Sequence, residues 1–138
     1  MNKYKVIRLF TIVILVIAGT NLIAGGLKEV SPYNDKYEKG TLFALNSDNL
    51  GVIESSLFLA LELKDRYPSE NYSNVVDKID DISNESSSLS IKYKAQLAEI
   101  YYKYYDLFSD IKIENSDTPD KYFKIIADRI AQSSFVSN

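Results

Sequence analysis

From Ser88 to Ile111 the polar residues Lys92, Gln96, Glu99, Lys103, Asp106 and Asp110 recur at alternating steps of four and three. That spacing draws a single line along an α-helix. The residues between them are largely apolar and fall into two seams. One is Ile91, Ala95, Ala98, Tyr102 and Tyr105; the other is Leu97, Tyr101, Tyr104, Phe108 and Ile111. A helix with two apolar seams needs two packing partners, so this one, over about 88–111, is expected to be central.

Three further helices follow from the same periodicity. Asn46, Ser47 and Asp48 are cap-type residues ahead of an apolar run from about Asp48 to Arg66. Leu50, Ile53, Leu57, Ala60, Leu61 and Lys64 mark one face, Val52, Leu59 and Leu63 a second, and Phe58 a third direction. Pro68 ends that helix. After Ser69-Glu70-Asn71, a narrow stripe of Tyr72, Val75, Val76, Ile79 and Ile82 predicts an outer helix over 72–84, with Asp77, Lys78, Asp80 and Asp81 in water. Thr118-Pro119 is a start signal, because proline suits the first helical position. The last helix then runs to about Gln132 on Tyr122, Phe123, Ile126, Ala127 and Ile130, and residues 133–138 fray. Residues 25–45 form a connector punctuated by Ser31-Pro32 and Gly40. Its Tyr37, Leu42, Phe43 and Leu45 either make a short helix or cover a core.

The N-terminal segment differs in kind. Lys3, Lys5 and Arg8 precede the apolar run Leu9–Ala18, and no charged residue lies between Arg8 and Lys28. A basic start, an apolar middle and a small-residue end describe a secretory signal, with cleavage expected near Ala24. The same stretch, Val6–Ala24, is close to the roughly 20 residues a membrane helix needs. Residues 1–24 are therefore a signal peptide or a signal anchor. The two alternatives give a secreted or periplasmic protein, or one held in the inner membrane with its C-terminal domain outside the cytoplasm. Residues 46–138 are the all-α domain.

The helices also echo one another. Laying Val52–Leu63 over Ile91–Tyr102 matches Val52 with Ile91, Ser56 with Ala95 and Leu59 with Ala98. Laying Tyr72–Ile79 over Phe123–Ile130 matches Tyr72 with Phe123, Val75 with Ile126, Val76 with Ala127 and Ile79 with Ile130. The run from Asn46 to Ser83 resembles a HEAT-type repeat, with small residues on its first helix, a short turn and an amphipathic second helix. The resemblance covers about residues 46–132, at a spacing of roughly 40 residues that fits such arrays. It implies two α-hairpins and a binding scaffold in place of a catalyst. The alternative architecture is an irregular four-helix bundle.

Composition then narrows the chemistry. The 138 residues include no Cys, His or Trp. Disulfides, thiol nucleophiles, imidazole bases and the usual zinc sites are excluded by residue type. The net charge is -3, and three of the 16 basic residues belong to the N-terminal segment. The remainder is therefore more acidic still, which disfavours nucleic acid. Eleven tyrosines are the most conspicuous feature. Tyr93, Tyr101, Tyr102, Tyr104 and Tyr105 crowd one helix, either as an interaction surface or as core and boundary filler. Asp77, Asp80 and Asp81 match no calcium loop, and Gly25-Gly26 follows no strand that would make a phosphate loop. Asn71-Tyr72-Ser73 and Asn84-Glu85-Ser86 are sequons by pattern only. No catalytic, cofactor-binding or metal residue is identified, and no cofactor is implied. The expected function is a non-enzymatic exported module that binds a protein partner in the bacterial cell envelope through a flank of the first or third helix. The alternative is a membrane-anchored accessory subunit, touching the membrane only through an uncleaved 1–24.

Overall fold

A computed structural model describes residues 32–114 and 117–136, and all of their regular structure is helical. The elements are α1 (Pro32–Leu45), α2 (Leu50–Arg66), α3 (Ser73–Glu85), α4 (Leu89–Lys103), a 3-10 turn (Tyr105–Leu107) and α5 (Pro119–Val136). The expected signal or anchor at 1–24 lies outside the described residues. None of the described helices is long and apolar enough to cross a membrane.

Capping chemistry sets the boundaries. The Asn49 side chain accepts from the backbone N–H groups of Gly51 and Val52 at 2.9 and 3.3 Å, opening α2 just after the expected cap cluster. Ser88 does the same for Ile91 on α4. Beyond Arg66 the chain turns at Tyr67-Pro68, and the buried Tyr72 hydroxyl lies 3.1 Å from the Leu63 carbonyl and 2.9 Å from that of Tyr67. It thereby satisfies carbonyls that the end of a helix leaves without partners. Thr118 accepts from the Lys121 N–H at the start of α5, as the Thr118-Pro119 signal predicts. The helix continues to Val136, past the expected end at Gln132.

Two expectations need correction. The central helix does not reach Ile111: α4 ends at Lys103, and Tyr104 leaves helical geometry with φ -121° and ψ 42°. An unbroken helix would carry residue 108 roughly 10 Å along the axis from residue 101. Breaking it lets the Phe108 ring stack on Tyr101 with centroids 5.2 Å apart, and Phe108 becomes fully buried. The second correction concerns pairing. The stretch left open between a short helix and a core cover is α1, which packs on both α2 and α3. α4 packs on the same two, and α5 adds to α2 and α4. Helices α1, α2, α4 and α3 therefore close a ring, in place of the α2–α3 hairpin expected from sequence. α1 contributes the buried Thr41 and Leu45 to this ring.

The core holds Leu45, Leu57, Leu61, Val75, Ile79, Ile91 and Ala98, all close to fully buried. A shallow cleft lined by Leu45, Asp48, Leu50, Ile82, Glu85 and Ser87 sets the α1–α2 turn beside the α3–α4 turn. Both turns thus share one end of the ring.

Candidate functional site

The sequence named no catalytic or ligand residues, so the site is sought from burial and geometry. Thr41, Ser56, Ser83 and Lys94 are the buried polar side chains among the described residues. A buried polar group without a partner is costly, so their hydrogen bonds are informative. Ser56 donates to the Val52 carbonyl one turn back at 2.6 Å. Ser83 lies 2.5 Å from Glu99 and 2.9 Å from the Asp80 carbonyl. Lys94 on α4 is ion-paired with both Glu54 of α2 and Asp120 of α5, and its ammonium sits 5.8 Å from the centre of the Phe123 ring. These pairs and hydrogen bonds hold the Lys94 ammonium above its ordinary range, against the opposing effect of burial. Lys94 therefore ties three helices together. Thr41 is different: its hydroxyl has no hydrogen bond among the described residues, although the residue is only 6% exposed.

Thr41 lies in the wall of a cleft of about 680 Å³ between α1 and α2. Leu59, Leu63, Tyr37 and Tyr67 supply its apolar lining. Gly40 opens it, because a Cβ there would meet no atom within 4 Å. Three charged residues stand at its edge: Lys36, Arg66 and Glu62. The Arg66 guanidinium is 3.5 Å from Glu62, a loose contact, and Lys36 makes no ion pair among the described residues.

A second feature is apolar. Phe43 in the last turn of α1 and Leu89 in the first turn of α4 are 85% and 83% exposed. Leu50 and Val52 at the start of α2, and Tyr93 one turn into α4, are exposed with them. All belong to the end of the ring that carries the two turns.

The tyrosine-rich segment divides. Tyr101 is buried and hydrogen-bonded to Tyr122, hydroxyl to hydroxyl at 3.3 Å. Tyr102 donates to the Ala60 carbonyl at 2.6 Å, and Tyr105 packs edge-on against Tyr101. Tyr93 and Tyr104 face solvent. Tyr104, expected on the second seam, caps the end of α4 and is exposed instead. Asp77, Asp80 and Asp81 are all exposed on α3.

Sequence reasoning missed Lys94, Thr41, Gly40 and Lys36. Lys94 left a trace: it is the one cation within the Ile91–Lys94–Leu97–Tyr101 spacing. The α1 residues left none, because their significance depends on which helix lies opposite them. No family model matches the chain, and neither curated proteins nor solved structures yield a match.

Proposed function

We propose that the chain is an exported, non-enzymatic helical interaction module of the bacterial cell envelope, docking a protein partner through the end of the ring that bears Phe43, Leu50 and Leu89. The observation that carries this reading is the exposure of Phe43 and Leu89, each more than four-fifths open to solvent. Large apolar side chains gathered at one place on a surface mark interaction sites. They come from both flanks expected to dock, the starts of α2 and α4, with α1 added. What the HEAT-like resemblance offers this proposal is the α2/α4 pair alone: the two helices pack on one another, and the matched Ser56 and Ala95 are both buried.

The test is site-specific photo-cross-linking in the native host. A photoreactive phenylalanine at Leu89 or Phe43 is expected to give one discrete protein adduct, and the same residue at exposed Asp77 none. Equal adducts from all three positions would overturn the assignment. Export rests on the charge-free stretch between Arg8 and Lys28. N-terminal sequencing of the mature protein separates cleavage near Ala24 from the anchored alternative, and intact chain free in the cytosol would defeat both.

A further inference from the structure

We propose that the α1/α2 cleft is a binding site for a small alkyl carboxylate, independent of the apolar end described above. Four features of the cleft converge on this chemistry. Its volume of about 680 Å³ falls within the roughly 300–1,000 Å³ of small-molecule sites. The lining of Leu59, Leu63, Tyr37 and Tyr67 suits an alkyl chain. The Thr41 hydroxyl is buried with no acceptor among the described residues, and a carboxylate oxygen would accept from it. Lys36 lies one helical turn before Gly40 at the same cleft and makes no ion pair among the described residues.

The charge balance selects a monoanion. Lys36 and Arg66 are set against one Glu62, leaving a single positive charge in a chain whose net charge is -3. A dianionic phosphate would face Glu62 with only that one excess cation. A carboxylate matches it. The carboxylate is held by the Thr41 hydroxyl and the two cations, with the alkyl chain against Leu59 and Leu63.

Gly40 supports the assignment from another direction. Glycine inside a helix destabilises it relative to alanine. No steric contact requires glycine here, since a Cβ would enter open space. Its lack of a side chain leaves the cleft open at this point.

The experiment titrates sodium octanoate into the full-length chain, isotopically labelled and held in lipid nanodiscs, and follows backbone amide resonances. Site-specific shifts distinguish the cleft from partition into lipid. Saturable shifts at Gly40, Thr41, Leu59 and Leu63 are expected. Octanol, with the same chain and no charge, should bind more weakly. Lys36→Gln should raise the apparent Kd about threefold, the yield of one solvent-exposed ion pair. Gly40→Phe should abolish the shifts while circular dichroism shows unchanged helix content. Should that variant not fold, Leu59→Asp, at a half-exposed wall position, is expected to reject the anion. No saturable shift in the natural sequence overturns the proposal. Octanol matching octanoate overturns it too, as does binding that survives both Gly40→Phe and Leu59→Asp.

Discussion

The two flanks of α2 meet their neighbours on different terms. Toward α4 and α5, Phe58 meets Tyr122 edge-on at 5.9 Å, Tyr122 meets Tyr101 at 6.2 Å, and Tyr101 stacks on Phe108. The charges there are matched as well, with Lys94 held by Glu54 and Asp120. Toward α1, a glycine and a threonine face leucines, and about 680 Å³ is left open. The contrast is sharpest between two buried hydroxyls. Ser56 is satisfied by its own helix, whereas Thr41 has no partner among the described residues. One flank is filled to stabilise the fold, and the other is kept open at a cost in stability.

The contrast can be broken most severely from the filled side. Tyr101→Ala is expected to lose about 3–5 kcal/mol, the range for deleting a fully buried aromatic ring, as measured by urea unfolding. A loss comparable to that of a surface substitution would mean the aromatic cluster is not what closes this flank. Lys94→Ala should lose less, about 1–2 kcal/mol, because Glu54 and Asp120 keep much of their carboxylate surface in water. A cycle with Glu54→Gln isolates the coupling. On the open side the sign reverses. Thr41→Val should gain about 1 kcal/mol by removing a buried hydroxyl without a partner, whereas Ser56→Ala should not gain. Thermal melts of the two variants compare the flanks directly. Gly40→Ala should gain about 0.5–1 kcal/mol from helix propensity alone, and a loss would show that the cleft is tighter than it stands here.

The smallest effect near neutral pH comes from the phenols, and it grows with alkalinity. Burial pushes the Tyr122 hydroxyl up to about 12 and those of Tyr101 and Tyr102 further. A raised folded value means the stabilising contribution is complete below the ordinary tyrosine range near 10. It is lost as pH rises through the folded values. Phenolate absorbance of these three should therefore appear only as the helical signal collapses. Titration of Tyr101, Tyr102 and Tyr122 before the helical signal is lost would contradict the closed packing of the aromatic flank.

Most of the helices were legible because their signals are local. The 3.6-residue stripe of α3, the cap cluster before α2 and Thr118-Pro119 before α5 each act over a turn or two of chain. α1 was legible only as an open choice, since its first half is polar and its glycine argues against a helix. The break at Tyr104 was hidden by a polar stripe that runs on through Asp106 and Asp110 as though the helix continued. Of the candidate cleft nothing could be read: Lys36, Gly40 and Thr41 are unremarkable on one helix until Leu59, Leu63 and Arg66 face them from another.

The amino-acid sequence by itself determined an all-helical domain, most of its helix boundaries and the exclusion of thiol and imidazole chemistry, because periodicity, capping and residue inventory are properties of the chain alone. Tertiary structure alone decided that α1 completes a ring with α2, α4 and α3, that Phe108 folds back on Tyr101, and that one buried hydroxyl faces an open cleft. Those outcomes turn on which surfaces meet across long separations, and amphipathic stripes that seek burial do not specify which partner will provide it.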